Sequence, residues 1–533
     1  MLFFATRHCL SALFIAVTLA TIKPVAAPAT AATATQATII LSNAPSKSDS
    51  TYRSLLQAAG NPIVESLPLT HSEAWTVNAN RIHAIETLAR DKGISAIIPS
   101  IDGDAATLPT SHDMTEEQGK MMSMAMESKA ATKFCVISLP DPRVMEYVLT
   151  RRNQQSRDRG ALIVTLRADL QVTATRTSVR SIENGYAWHG NIEASGEPIT
   201  LIWRLDGELA GQIYYEGHRF VIRHLGGEKF AVVEMIPGLM PSEHPPVAQM
   251  PMSKMPDQDA RAFRGELDIL PSEKQRIDNE ALRNLEDAAP NGDQHVNLAF
   301  NIPNLSPSQR PPNQIVINVL VPYTAKAAAH YVDIKHELIE LAIEEANQSF
   351  LNSGVTNVRL HLAYSYQTNY IEDGATHFDH VFRLADKGDG YMDKVHAIRD
   401  SYHADVVVLI VDDPNGCGLS AGVAPKADRA FAVVHHECAA TSYSLAHEIG
   451  HILGARHDIG LDNASIPYAF GHGFIYGKKW RTVMSYAESC DGCPRLPIWS
   501  NPEVKVGGVA AGDAISDNAR VISEAALRVS RFR

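Results

Sequence analysis

Two patterns of apolar and polar positions divide the first half of the chain. Over residues 36–105, alternating apolar runs and helix-like spacings follow one another in the order βαββαβ, which predicts a small unit with one sheet and two helices. Over residues 132–240, short runs such as "ITLIWRLDG" and "RFVIRHLGG" are separated by turns that contain glycine, which predicts a β-rich domain. The polar, methionine-rich stretch Met114–Lys129 lies between the two, and we interpret it as a flexible connector, with a metal-binding methionine cluster as the alternative.

A proline-rich stretch of mixed charge, residues 241–312, shows little hydrophobic periodicity and predicts a linker. Its basic residues Arg261, Arg264 and Arg310 would be accessible to proteolysis. We therefore expect a domain boundary here, and an activation cleavage within it.

The alternating α/β pattern returns in residues 313–533. It begins with the strand "QIVINVLVPY" and continues with a long helical pattern from Ala325 to Gly354, another strand, a further helical region and the apolar strand "DVVVLIVDD". One more strand is predicted at Arg429–His436, directly before the stretch "SLAHEIGHILGARHDIG".

The N-terminus has the composition of a secretory signal peptide. Arg7 and His8 precede the apolar run Leu10–Ile22, and small residues follow at Val25–Ala32. The run is shorter than the roughly 20 residues that a spanning helix needs, which disfavours a membrane anchor. We therefore assign residues 1–31 to a signal peptide, and we expect a secreted or periplasmic protein without stable membrane insertion.

The length and composition indicate several domains, and the net charge disfavours some classes of binding partner. The chain has 533 residues, enough for about two to four domains, and 45% of them are hydrophobic. The formal net charge of -12 disfavours nucleic acid and anionic membrane surfaces as main partners.

Cysteine usage fits an exported protein. Five cysteines follow the predicted signal peptide: Cys135, Cys417, Cys438, Cys490 and Cys493. The last four predict two disulfides, with Cys417–Cys438 and Cys490–Cys493 as the favoured pairs, although the sequence leaves the pairing open. A second zinc site built on "CDGC" is the alternative.

The helix with the histidines predicts a catalytic metal site. His447 and His451 are four residues apart and project from one helix face, where one metal ion can bridge them. Gly454 permits the chain to leave the helix and to return His457 to the same ion. Three neutral imidazoles leave a coordination position open for water, and Glu448 can reach that water without being a ligand. One Zn²⁺ is the expected cofactor, and calcium is an open alternative that no motif indicates.

The ordinary alternative is a surface helix with solvated histidines. Against it, the pattern HExxHxxGxxH arises by chance in on the order of one such sequence in ten thousand. This signature resembles the metzincin clan of zinc endopeptidases, and Met484 in "TVMSYAES" stands where that clan has a methionine turn beneath the metal. The aspartate directly after the third histidine, Asp458, makes the signature similar to that of the reprolysin (adamalysin) branch. The segments "AFAVVHHECA", "WRTVMSY" and "IWSNPEV" look most like bacterial reprolysin-like enzymes and the peptidyl-Asp metalloendopeptidase group.

The resemblance implies the fold class and the activity. It implies an α/β (α+β) metzincin catalytic domain with a mixed twisted sheet and an active-site helix. The two earlier units, one of them ferredoxin-like by element order, resemble an inhibitory propeptide. The expected protein is a secreted zinc endopeptidase made as a zymogen, with its own propeptide as inhibitor and proteins or peptides as substrates. Glu448 would accept the water proton and pass it to the leaving amine. Strand Arg429–Val434 would pair with an extended substrate, with a wholly buried strand as the alternative.

Two further residues have open assignments. A thiolate of Cys135 is a candidate cysteine switch on the metal, although "KFCVISLPDPR" does not match known switch motifs. A buried inert cysteine and an intermolecular disulfide are the alternatives. Tyr486 stands where some metzincins place a tyrosine that approaches zinc, with aromatic packing as the ordinary interpretation.

Two alternatives remain open, one for the cleavage specificity and one for the class of protein. The first is the same scaffold with narrow cleavage beside Asp or Glu, which requires a basic subsite. Candidate contributors are Arg429, Lys478, Lys479 and Arg481, although solvated surface charges are the ordinary interpretation of each. The second is a binding or adhesion protein without catalysis on a protease fold.

Overall fold

The computed structural model describes residues 36–99, 101–102, 105–111, 113–151, 160–245 and 314–533. The predicted signal peptide lies outside these residues, as does most of the predicted linker. No helix in the described part of the chain is long and apolar enough to span a bilayer.

The first unit is a four-stranded antiparallel sheet with two helices. Its elements in chain order are β1 (Gln36–Ser42), α1 (Ser50–Ala59), β2 (Ile63–Leu67), β3 (Ser72–Asn78), α2 (Ile82–Asp91) and β4 (Ser95–Ile97). The strands lie in the order β2-β3-β1-β4. Because side chains alternate along a strand, Ile39 and Leu41 pack under the helices around the buried Trp75, whereas Ile40 faces the second unit.

The second unit is a ten-stranded sheet that curves round on itself. Its elements are β5 (Ile101–Asp102), β6 (Ala105–Thr107), α3 (Glu116–Ala125), β7 (Ala131–Ser138), α4 (Pro142–Thr150), β8 (Ala161–Arg167), β9 (Leu170–Ile182), β10 (Gly185–Ile192), β11 (Pro198–Arg204), β12 (Leu209–Tyr215), β13 (His218–Gly226) and β14 (Lys229–Met235). Strands follow one another from β8 to β14, and β7 then pairs with β14. The Leu108 amide donates to Ile163 of β8 and the Ser111 amide to Val136 of β7, so this segment links the two ends of the sheet.

The methionine-rich stretch is not a flexible connector, so that prediction was wrong. Helix α3 begins after a capping box, in which the side chains of Thr115 and Gln118 each accept a hydrogen bond from the other residue's backbone amide. Met122 is buried against the second sheet. The methionines therefore form an apolar helix face rather than a solvated chain.

The third unit is a mixed sheet between helices, as predicted. Its elements are β15 (Ile315–Tyr323), α5 (Ala325–Ala328), α6 (Glu340–Asn352), β16 (Val358–Gln367), α7 (His377–Ala385), α8 (Lys394–Ser401), β17 (Val406–Val411), β18 (Gly418–Ser420), β19 (Phe431–His435), α9 (Ser444–Leu453), β20 (Ile475–Tyr476), β21 (Trp480–Arg481), β22 (Asn501–Val506), β23 (Val509–Ala511) and α10 (Asn518–Val529). The main sheet has the order β16-β15-β17-β19-β18, and only β18 is antiparallel to its neighbour. Helices α6, α9 and α10 share one core on one face, and α7 packs on the other.

The long helical pattern from Ala325 to Gly354 is interrupted. Helix α5 ends at Ala328, and helical structure resumes with one π-helical turn, Lys335–Ile339, before α6. The Asp333 carboxylate accepts the backbone amides of Lys335 and His336, so it caps a new helix start.

The prediction that strand Arg429–Val434 pairs with substrate was wrong. Strand β19 lies between β17 and β18, and all of its residues are buried. Both of its edges are therefore already hydrogen-bonded. The edge strand of the sheet beside the histidine helix is β18.

Candidate metal centre

The chain leaves helix α9 at Gly454. This glycine has a φ of 117°, and its amide donates to Gly450 O at 2.9 Å. A side chain there would be strained by the left-handed backbone, and its Cβ would lie 3.0 Å from the Tyr468 ring. The turn directs the chain back toward the helix and carries His457 with it.

Three imidazoles meet at one point. The Nε2 atoms of His447 and His451 are 3.1 Å apart, and His457 Nε2 lies 2.9 Å from His451 Nε2 and 3.2 Å from His447 Nε2. In a tetrahedral zinc site with Zn–N bonds of about 2.0–2.1 Å, neighbouring nitrogens are about 3.3 Å apart. The spacing of the three nitrogens therefore fits one metal ion.

Hydrogen bonds fix the tautomers of two of the rings. His447 Nδ1 donates to Val483 O at 2.9 Å and His451 Nδ1 donates to Ala455 O at 3.0 Å, which leaves the Nε2 lone pairs directed at the centre. Burial lowers the pKa of His451 to about 3, and it lowers the pKa of His447 and His457 well below the ordinary value. Neutral imidazole is the form that ligates, so the donor set fits Zn²⁺ or a similar transition metal.

Glu448 lies beside the centre. It is buried and lines a small cavity together with His451 and His457. A Cβ at Gly418 of edge strand β18 would lie 2.6 Å from Glu448 Oε1. Only glycine at this position leaves room for the carboxylate.

Met484 lies beneath helix α9. It is fully buried in a turn, and a Cβ at Gly450 would come within 2.9 Å of its sulfur. The preceding residue, Val483, supplies the carbonyl that orients His447. The turn therefore supports the ligand helix from below.

Tyr486 and Asp458 join this turn to the third histidine. The centroid of the Tyr486 ring lies 4.2 Å from that of His457, and its backbone amide donates to Asp458 Oδ2 at 3.1 Å. Asp458 is buried. Tyr486 thus packs on a ligand ring, which is the ordinary interpretation of this tyrosine.

The four basic candidates for a subsite lie in different places. Arg429 pairs with Asp386, Lys478 pairs with Asp491 on the surface, and Lys479 lies over the Tyr476 ring. Arg481 alone lies next to the methionine turn, where its Nη1 donates to Ser485 O at 2.6 Å.

Sequence reasoning missed a second arginine. Arg495 Nη2 donates to the same Ser485 carbonyl at 3.1 Å, and its side chain is buried. It follows "CDGCP" in an irregular segment, and no motif or periodicity marks it in the sequence.

The structure joins Cys417 to Cys438 and Cys490 to Cys493, as predicted. Cys135 is buried in β7 of the second unit, opposite Val232 of β14. Within the described residues, the group of ligand atoms around the three histidines does not include its sulfur. The placement of Cys135 gives the cysteine-switch hypothesis no support.

Comparisons with known proteins agree with this site. The profile of "Metallo-peptidase family M12", of reprolysin type, matches residues 313–500. A "Peptidyl-Asp metalloendopeptidase" of Xanthomonas campestris pv. campestris is 34% identical over 378 residues, which cover 68% of this chain and 79% of that protein. A protein of the same name from Stenotrophomonas maltophilia is 32% identical over 384 residues, 68% of this chain and 81% of the relative. One from Pseudomonas fragi is 34% identical over 193 residues, 36% of this chain and the whole of the relative.

Fold, site and relatives together define the class of protein as a metalloendopeptidase of metzincin type, which acts on proteins or peptides. The chain belongs to the metallo-peptidase family M12.

Proposed function

We propose that the protein is an exported zinc endopeptidase, made as a zymogen, that cuts polypeptides beside acidic residues. The observation that carries the proposal is the convergence of three neutral imidazole Nε2 atoms, all within 3.2 Å of one another, next to the buried Glu448. The residues that would hold the ion are His447, His451 and His457. When bound there, zinc supplies a Lewis acid that polarises a carbonyl and lowers the pKa of water.

The protein's own residues divide the remaining work. Glu448 accepts the proton of the attacking water at its carboxylate and passes it to the leaving nitrogen. Gly418 has no side chain that would clash with the Glu448 carboxylate. The Val483 and Ala455 carbonyls keep the rings of His447 and His451 in the tautomer that can bind a metal through Nε2. Within the described residues, edge strand β18 pairs with a strand on one side only. In the processed protein an extended peptide could add on its other side as a further strand, a role that replaces the one predicted for β19.

The organisation that we propose follows the predicted boundaries. Residues 1–31 would direct export, residues 36–105 and 132–240 would form the propeptide, and residues 313–533 would form the protease, with activation cleavage within residues 241–312. Contacts between the second unit and helix α6 support an association of propeptide and protease, because Arg204 forms an ion pair with Glu340 at 2.7 Å and Arg180 pairs with Glu344.

Two observations support acidic specificity. The relatives from Xanthomonas and Stenotrophomonas carry the name peptidyl-Asp metalloendopeptidase. In this chain two buried arginines, Arg481 and Arg495, lie beside the methionine turn.

The proposed function is tested with the full chain and the processed protein. Metal analysis of the processed protein is expected to give one zinc per chain. A peptide pool should be digested, digestion should stop with a chelator, and zinc should restore it. Glu448→Gln should retain zinc and lose hydrolysis, whereas Glu503→Gln, an exposed control in β22, should retain both. A processed protein that binds zinc and digests no peptide would contradict the proposal.

A further inference from the structure

The short segment Pro241–Pro245 of this chain lies in the cleft. The Cys417 amide, directly before edge strand β18, donates to Ser242 O at 2.7 Å. His244 lines the small cavity beside Glu448 and two of the histidines. The first five residues of the predicted linker therefore lie beside both the edge strand and the metal centre.

Glu243 of this segment binds two arginines. Its Oε1 lies 2.5 Å from Arg481 Nη2, and its Oε2 lies 3.1 Å from Arg495 Nη2. The Ala487 amide also donates to Oε2, at 3.2 Å. We call the two guanidinium groups and this amide the arginine pocket. Its three donors converge on one carboxylate, which is a strong arrangement for recognising an acidic side chain.

Contacts other than those with Glu243 also hold the two arginines of the arginine pocket. Arg481 also donates to Ser485 O and Cys493 O, and Arg495 also donates to Ser442 O and Ser485 O. Backbone carbonyls therefore orient both guanidinium groups before any ligand arrives. The Ser485 carbonyl that they share follows Met484 directly, so the pocket adjoins the floor of the metal centre.

The arginine pocket is buried and positively charged, which favours binding of an anion. The side chains of Arg481 and Arg495 are only 8% and 2% exposed, and burial lowers the pKa of Arg481 to about 10. Among the described residues, Glu243 is the acidic side chain that forms an ion pair with either arginine. When the N-terminal units and Glu243 leave after cleavage of the linker, the two guanidinium groups lose their acidic partner, while backbone carbonyls of the protease unit still orient them. An acidic side chain of a substrate would restore the balance.

There is room beside the pocket for a peptide. A cavity of about 260 Å³ adjoins it, lined by residues of the second unit, by the Pro241–Glu243 segment and by the two arginines. Removal of the N-terminal units would open this cavity to solvent.

We propose that Pro241–Pro245 is an internal inhibitor, whose Glu243 carboxylate occupies the pocket that selects the acidic side chain of a substrate. The proposal rests on the proposed function, because it assigns the specificity and the latency of that same cleft. In this proposal the Glu243 carboxylate, and not the Cys135 thiolate, is the group that blocks substrate binding in the full chain.

The test measures binding rather than hydrolysis. In full-length chains that carry Glu448→Gln, the affinity for a fluorescent peptide with one Asp is compared with that for the same peptide with Asn. Glu243→Gln should tighten binding of the Asp peptide by at least about tenfold, because an intramolecular competitor acts at millimolar effective concentration. The Asn peptide should gain clearly less. Adding Arg495→Met should abolish the preference for Asp.

Two controls keep the result interpretable. Glu243→Asp retains a carboxylate and should keep binding of the Asp peptide weak, and Glu117→Gln removes an exposed acid of helix α3 and should change nothing. Thermal melts should show that each variant is folded. Equal gains for the Asp and Asn peptides in the Glu243→Gln chain, or no gain for either, would overturn the proposal. Because binding does not require hydrolysis, an absence of protease activity would contradict the proposed function alone.

Discussion

The metal centre and the arginine pocket adjoin each other in one cleft, but they are assembled in opposite ways. The outer two ligands of the metal centre are ten positions apart, on one helix and the turn after it. The arginine pocket joins the end of strand β21 and two irregular segments around a carboxylate that lies 244 positions before Ala487 in the sequence. Local helix geometry thus creates the first site, and the packing of distant segments creates the second.

The two sites also have opposite electrostatics. Burial keeps three imidazoles neutral at the metal centre, so the site is ready for a cation. The arginine pocket instead places two guanidinium groups side by side, so it pairs with an anion, which Glu243 supplies in the full chain. In our proposal, one side of the cleft supplies the chemistry and the other supplies the selectivity, so substitutions on each side should affect kcat and substrate preference separately.

The largest effect should come from removing the base of the metal centre while the arginine pocket stays intact. In the processed enzyme, Glu448→Gln should lower kcat by about 10²- to 10⁴-fold, the range for a general acid–base group. Zinc content and the KM for an acidic peptide should change little. A variant that retains its kcat would show that another group moves the proton.

A smaller loss should follow from crowding that base. Gly418→Ala would place a Cβ 2.6 Å from Glu448 Oε1, so the carboxylate must move, and kcat should fall on the order of 100-fold with zinc retained. Gly422→Ala is the matched control, because its Cβ would have ordinary contacts, 3.8 Å from Pro425. If both alanines had the same kcat, Gly418 would have no positioning role.

Substitution of the arginine pocket should change selectivity without changing chemistry. Arg495→Met in the processed enzyme should lower kcat/KM for an Asp peptide by about 10- to 100-fold, which is the cost of losing one hydrogen bond to a charged group. The value for the matched Asn peptide should hardly change. Equal losses on the two peptides would mean that Arg495 supports the fold and does not select substrate.

The smallest effect concerns the contact between the second unit and the protease. His336 binds Asp333 at 3.0 Å and, across the interface, Glu208 at 2.7 Å. The hydrogen bonds to Asp333 and then to Glu208 raise the pKa of His336 to about 9. A raised pKa means that the charged ring stabilises the folded chain fully below pH 6.5, and that this stabilisation is lost as the pH rises through 9.

Thermal melts of the full chain between pH 6 and pH 10 would measure this loss. The Tm should fall more steeply between pH 6.5 and 9 in the natural chain than in His336→Gln. The difference should be a few degrees at most, because solvent screens partly exposed pairs. Parallel curves for the two chains would contradict a role of this ion pair at the interface.

Sequence pattern predicted what local geometry determines. The helix register that aligns His447 with His451, and the glycine that ends the helix, are visible as spacing. The alternation of strands and helices gave the mixed sheet of the protease unit. These features depend on neighbours within a few residues.

Features that depend on partners distant in the sequence were not predictable. We predicted that strand Arg429–Val434 pairs with substrate, but the short strand β18 pairs with β19 on that side. The three residues of β18 carry too little periodicity to be predicted as a strand. Glu243 stands in a proline-rich segment that reads as a solvated linker, and the arginines that bind it are more than 200 positions away. The ionic partner of a charged residue is set by tertiary packing, which composition does not encode.

The most direct test is to map every cleavage that the processed enzyme makes in a mixed peptide pool, with and without a chelator. We predict that the cuts lie beside Asp or Glu, that they disappear when the metal is removed, and that zinc restores them. Cuts that persist after removal of the metal would contradict the metal centre, and metal-dependent cuts without preference for acidic residues would contradict the arginine pocket.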